Sequence, residues 1–255
     1  MRAPCFMIWS NWRKCMTGNS ACGAMVCFSQ SLPPKRPVWR EMDMMTDWRS
    51  RIEAVVDREL PDAEALSRPG QVGDARIDGG APSEEEWAVA GELRLAAVLV
   101  PVVQYDSGPA ILLTRRADHL DKHSGQVAFP GGKVEERDAS PVATALREAE
   151  EEIGLKSDFV EVAGFLDTYQ TGTGFLILPV VSFVQPGFTL TPDKNEVADI
   201  FEVPLHQALD AENYERHQVM WKGKQRSYYS MQYEGYNIWG ATAGVLMHMS
   251  RRVTA

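Results

Sequence analysis

The stretch FPGGKVEERDASPVATALREAEEEIGL, Phe129 to Leu155, decides how this chain is read. Its second half is a helix marked at both ends. Ser140 stands as N-cap with Pro141 at the first helical position, and Gly154 follows the last apolar residue, where a left-handed stop is easiest for glycine. These marks predict a helix over about 141 to 153. At about 100° per residue, Val142, Leu146, Ala149 and Ile153 form one narrow stripe, while Glu148, Glu151 and Glu152 gather on the other side. Like charges at that spacing repel by roughly 0.2–0.5 kcal/mol per pair in a free helix. A hard divalent cation gives a reason for that cost, because Mg²⁺ or Mn²⁺ takes carboxylate oxygens and keeps waters and substrate phosphates in its shell. A solvated acidic face is the other reading. The glycines ahead of the helix and Arg147 within it weigh against it.

The residues Arg147, Glu148, Ala149, Glu150, Glu151, Glu152, Ile153, Gly154 and Leu155 resemble, in register, the REUxEExGU core of the Nudix box, where U is an apolar residue. Upstream the pattern shifts. Gly132 precedes Asp138 at the usual spacing, but Asp stands for Glu and one extra residue separates it from Arg147. That variant resembles the coenzyme A pyrophosphatase branch of the Nudix hydrolases, with its FPGGK, D and TALREAxEEIGL. A second motif of that branch lies just ahead. Leu112, Leu113, Thr114, Arg116, Ala117, Gly125 and Phe129 to Gly132 fall at the branch's spacing, and Asp121 stands where the branch has Arg. The resemblance runs from about Leu95 to Val253 and implies an α/β/α sandwich around a mixed β-sheet.

The pattern of the remaining chain agrees with that class. Leu95 to Tyr105 and Ala110 to Arg115 read as two strands of a hairpin, Phe159 to Tyr169 and Phe175 to Val184 as two more joined by a Gly-rich turn, and Ile200 to Val203 and Arg226 to Tyr233 as further strands. Pro204 opens a short helix. Gly240 to Arg251 closes the chain as a helix with Ala241, Val245, Leu246 and Met249 inward. Residues 93–255 are thus expected to form the Nudix domain. Before it, a helix from Thr46 with Trp48, Ile52, Val55, Val56 and Leu60 on one face leads into a Pro-, Gly- and acid-rich linker, so that 46–92 is helix plus linker. Residues 1–45 hold all four cysteines (Cys5, Cys15, Cys22 and Cys27) and no acid before Glu41, and read as a disordered or non-native extension, with Met42, Met44 or Met45 as the native start.

Composition bounds the partners. The net charge of −9 argues against a general nucleic-acid or anionic-membrane surface. No apolar run reaches the length of about 20 residues that spans a bilayer, and cytoplasm is the default compartment. Residues 132–155 alone carry seven acids against three basic residues, so an anionic substrate needs bound cations there.

Site expectations follow. Glu148, Glu151 and Glu152 are the candidate ligands of Mg²⁺ or Mn²⁺, which would lower the pKa of a bound water and neutralise phosphate charge. The general base is left among Glu151, Glu152 and Glu196, the last in the loop TPDKNEVADI, where a surface role is equally open. Gly131 and Gly132 let backbone approach a pyrophosphate, or simply make a sharp turn. Arg115 and Arg116 are candidate phosphate contacts, and Tyr228, Tyr229, Tyr233 and Tyr236 either stack a base or fill the core. Arg147 either touches phosphate or, as the resemblance implies, pairs with acids of the box. His119, His123 and Ser124 read as loop residues. The resemblance implies hydrolysis of the diphosphate bridge of coenzyme A or acyl-CoA. A Nudix pyrophosphatase acting on ADP-ribose or NADH, and a non-catalytic Nudix-fold binding module, are the alternatives.

Overall fold

Two Val-rich strands carry the core of the computed structural model, which describes residues 47–74, 76, 77, 83, 92–120, 123–221 and 224–254. Residues 1–45, most of the second half of the expected linker, and Asp121 lie outside the described residues. Strands β2 (Arg94–Val103) and β8 (Phe175–Val184) run parallel in continuous register from Arg94 opposite Phe175 to Val103 opposite Val184. Both are apolar on both faces, as strands covered on both sides are. Alternate residues feed two cores. Ala97, Leu99, Leu112, Leu178 and Val180 face the helix α2 (Pro141–Ile153), and Val100, Val102, Ile111, Leu113, Val181 and Phe183 face α1 (Trp48–Val55) and the C-terminal helix α4 (Ala241–Thr254). The mixed sheet sandwiched by helices is the expected α/β/α class.

The hairpin of β2 with β3 (Ala110–Arg116) is real but pairs only at Val102–Ile111 and Val103–Ala110. Beyond that point the strands part around a wedge. Within it β4 (Val127–Ala128) pairs β3, and β5 (Gly131–Lys133) pairs β2 with Gly131 opposite Val98. The FPGG segment is therefore stretched across the sheet directly under α2. Strand β6 (Val160–Phe165) and β7 (Tyr169–Gln170) pair β8, while β9 (Val197–Pro204) pairs β3 and, among the described residues, has no strand on its other edge. A short helix, α3 (Leu205–Ala208), follows β9. A separate antiparallel sheet of β10 (Glu215–Trp221), β11 (Lys224–Tyr233) and β12 (Tyr236–Trp239) buries Tyr229, Met231 and Ile238 in the core on the α4 side. Among the described residues, no helix is long and apolar enough to cross a membrane.

The N-terminal helix starts at Trp48, with Asp47 as its cap accepting from the Ser50 N–H at 3.1 Å. It buries Trp48 and Ile52, and Val56 just beyond it is buried too, whereas Leu60 is 41% exposed because the chain turns extended at Val56. The segment expected as a loose linker contains an added strand, β1 (Val72–Gly73), lying parallel beside β7. Asp74 fixes it, accepting from the Tyr169 hydroxyl at 2.7 Å and the Gly172 N–H at 2.9 Å. The strand lies so close that a Cβ at Gly70 would stand 2.7 Å from the Gln170 nitrogen. Glycine is required there by contact. Tyr169 is 1% exposed, so its hydroxyl depends on Asp74. Asp74→Ala is expected to lower stability by about 1–3 kcal/mol, and adding Tyr169→Phe to recover part of that loss, because an unpaired buried donor costs more than its removal; urea unfolding of the single and double variants measures both.

Candidate active site

Helix α2 forms as its caps dictate. Ser140 accepts from the Ala143 N–H at 3.2 Å, Pro141 leads, and Gly154 stops the helix at φ 71°, its N–H donating to the Glu150 carbonyl at 2.9 Å. Ala145, Ala149 and Ile153 are fully buried against the sheet. That packing fixes the rotation of the helix and therefore where its glutamates point.

Arg147 lies along the acidic face and binds three carboxylates. Its Nε and Nη2 donate to the two oxygens of Asp138 at 2.9 and 3.0 Å, and Nη1 donates to Glu148 at 2.8 Å and Glu151 at 2.7 Å. Asp138 also accepts from the Thr144 hydroxyl at 2.8 Å and the Glu135 N–H at 3.0 Å. The Arg147 bonds and the Glu135 N–H hold the Asp138 carboxyl well below the usual carboxylate range. Arg147 thus anchors box acids through a buried aspartate, the second of its two expected roles.

The acids divide by burial. Glu152 is 5% exposed, and its pKa is pushed up to about 8, first by burial and then by the charges of Glu148 and Glu196, against the pull of Arg116 and the Gly131 N–H. Burial also raises Glu148, whose carboxylate fills the space in front of Gly132: a Cβ there would stand 2.5 Å from Glu148 Cδ. Glu151 is half exposed and lies 3.5 Å from Arg137 as well as on Arg147. Glu196 is exposed, its loop held to the end of α2 by Thr191 N–H to Ile153 O and Asp193 N–H to Glu152 O, both 2.8 Å. Its own carbonyl accepts from the Ala117 N–H at 2.8 Å. These bonds set Glu196 within the field of Glu148 and Glu152.

Strand alternation separates the two arginines. Arg116 shares the α2 side and lowers the pKa of Glu152, and its buried Nε has no hydrogen-bond partner among the described residues. Arg115 points to the other face, bound to Asp118 at 2.6 Å and close to Tyr236. The tyrosines are engaged by the protein itself. Tyr236 stacks on Phe201 at 3.7 Å and donates to Asp199, Tyr228 stacks with His217 at 5.0 Å, Tyr229 is buried, and Tyr233 packs against the core. His123 sits in the left-handed region at φ 58°, paired with Gln126, His119 is exposed, and the Ser124 hydroxyl donates to the Asp118 carbonyl. Thr144 and the Thr191–Asp193 loop bonds had no sequence signal, since nothing in the residue types announces which backbone they will meet.

The sequence profile of the NUDIX domain matches residues 93–222, half of the chain. The chain belongs to the Nudix hydrolase family. It is 42% identical over 161 residues to an uncharacterized Nudix hydrolase, NudL, of Yersinia pestis (strain Pestoides F), covering 63% of this chain and 80% of that one. The NudL of Yersinia pseudotuberculosis serotype O:1b matches with the same figures. Solved structures with similar folds include a C. elegans Ap4A hydrolase binary complex (TM-score 0.39, 16% identity, 45% of this chain and 83% of that one). Another is the NUDIX domain of Shewanella oneidensis NrtR complexed with ADP ribose (TM-score 0.37, 21% identity, 46% and 76%). Family membership rests on the sequence matches rather than on these overlaps.

Nudix hydrolases generally need divalent metal ions, usually Mg²⁺ or Mn²⁺. Among the described residues, no three His, Cys, Asp or Glu side chains already stand close enough to enclose an ion. The donor set nevertheless suits one: hard oxygens, one of them on a buried glutamate whose charge two other carboxylates disfavour. Glu148 would exchange Arg147 for the cation.

The buried glutamate gives a pH test. Because Glu152 titrates at about 8 when folded, above the ordinary 4.5, its contribution to stability is complete below about pH 4.5 and is lost as pH rises through 8. Glu152→Gln cannot ionise. In EDTA it is expected to match the wild type near pH 4.5 and to exceed it by at least about 2 kcal/mol at pH 8.5, with Mg²⁺ restoring the wild type alone; urea unfolding across pH measures this.

Proposed function

We propose that this Nudix hydrolase cleaves the diphosphate bridge of coenzyme A or its acyl derivatives, in the cytoplasm, giving 3′,5′-ADP and 4′-phosphopantetheine or its acyl form. The observation that carries this reading is the pair of motifs at fixed separation, Leu112 to Gly132 and Arg147 to Leu155, which resembles the coenzyme A pyrophosphatase branch. The geometry is compatible with a diphosphate. Gly131 and Gly132 present bare backbone beside Glu148, and Arg116 holds a buried Nε–H on the same side of the sheet that has no partner among the described residues.

Glu148 and Glu152, with Glu151 at the rim, are the residues that would hold Mg²⁺ or Mn²⁺, which when bound polarises a water and offsets phosphate charge. Glu196 takes the proton. Its carboxylate makes no hydrogen bond or ion pair among the described residues, whereas Glu151 is tied to Arg147 and Glu152 is buried. A free, exposed carboxylate next to the cluster is the group best able to reach an attacking water. Arg147 and Asp138 act indirectly, by setting where Glu148 and Glu151 stand.

Another nucleotide diphosphate such as ADP-ribose or NADH is the second reading, favoured by Asp121 in place of the branch's Arg. A metal-dependent screen of coenzyme A, ADP-ribose and NADH separates the two. We expect kcat/KM for coenzyme A to lead, turnover to vanish in EDTA, and Glu196→Gln to lower kcat by about 10²-fold or more with metal affinity intact. Preference for ADP-ribose, or full turnover by Glu196→Gln, would count against the respective assignment.

A further inference from the structure

We propose that the open edge of β9 and the groove beside it receive the uncharged, amide-bearing arm of the substrate, an inference that rests on the coenzyme A reading above. The groove has a volume of about 500 Å³ and lies between β9 and the loop that precedes it. That size is in the range of small-molecule sites, roughly 300–1,000 Å³. Leu112, Leu190, Pro192 and Ile200 give it an apolar wall. Leu190 and Pro192 flank Thr191, whose N–H is bonded to the end of α2, and the same loop goes on to Glu196. The loop that walls the groove is therefore the one that is tied to the end of α2 and carries Glu196.

The strand supplies the polar contacts. Arg116 donates its N–H to Gln126 on the β4 side, so alternation turns the peptide groups of Ile111, Leu113 and Arg115 toward their partners Val203, Phe201 and Asp199. The peptide groups of Ile200 and Glu202 then face outward, away from β3. Asp199 caps the Ile200 N–H at 2.9 Å, and among the described residues the Ile200 carbonyl and both backbone groups of Glu202 have no partner on that side. An unpaired strand edge is a template for an extended chain that carries amides. The pantetheine arm of coenzyme A is such a chain, uncharged, with two amides set one carbon further apart than in a peptide.

Charge selects which half of the substrate lies there. Asp199 and Glu202 line the groove, the latter accepting from the Tyr105 hydroxyl at 2.7 Å. Two carboxylates repel a phosphate and tolerate a neutral amide. The phosphates are left to the side of Arg116 and the glycines, and the arm runs along β9.

Two variants test this. Glu202→Pro removes the outward N–H at an edge position where proline leaves the ladder to β3 intact, and Ala198→Trp fills the groove from an exposed residue. Each is first checked for a cooperative melt. The expected result is that the ratio of kcat/KM for coenzyme A to that for ADP-ribose falls about tenfold in both. Free pantetheine should inhibit the wild type competitively and Ala198→Trp at least about tenfold more weakly. An unchanged ratio with pantetheine inhibition intact, in a wild type that does hydrolyse coenzyme A, overturns the groove assignment and leaves the reaction standing. A wild type that cleaves ADP-ribose but not coenzyme A removes the substrate reading and this inference together. A dimer that Ala198→Trp dissociates would give the edge to a second copy and also overturn it.

Discussion

Mutual repulsion among Glu148, Glu152 and Glu196 is the constraint on which the catalytic end of this molecule depends. One of them, Glu152, is almost fully buried and feels the charges of the other two. In that setting a carboxylate keeps its charge only with help. Arg116 and the Gly131 N–H supply some of it, and the residual upward shift of Glu152 shows that they do not supply enough. Without further help Glu152 takes up a proton; a divalent cation, which Nudix hydrolases generally need, would let it keep its charge.

The surrounding architecture serves to keep those acids together despite the cost. Ala145, Ala149 and Ile153 lock the rotation of α2 against the sheet, and Gly132 keeps the space in front of Glu148 free. Asp138, held by four donors, fixes Arg147 so that its remaining nitrogen can hold Glu148 and Glu151. The loop carrying Glu196 is sewn to the end of the same helix by backbone bonds at Ile153 and Glu152. Side chains from distant parts of the chain thus converge because backbone, not side chain, sets the approach.

Much of this was legible in the sequence because it is local. The caps at Ser140 and Gly154, the apolar stripe and the spacing of the glutamates are all contained within one helix, and periodicity reports them directly. The Nudix family and the α/β/α sandwich followed from the same stretch. What stayed hidden is non-local. The docking of Val72–Gly73 beside β7 depends on Gln170 and Tyr169, about a hundred residues away, so a Gly-rich segment read as linker. Arg115 and Arg116 looked equivalent until strand alternation sent them to opposite faces. The tyrosines offered as base-stacking candidates turned out to be occupied by Phe201, His217 and the α4 core, which no residue count reveals.

The most direct test of the account is a Mn²⁺ titration of the wild type, Glu148→Gln and Glu152→Gln at pH 7.5, followed by the loss of the free-ion electron paramagnetic resonance signal. Each substitution is predicted to weaken binding by about tenfold or more, a loss of at least about 1.4 kcal/mol. Equal affinity in all three proteins would contradict it, since the crowded acids would then have some purpose other than holding a cation.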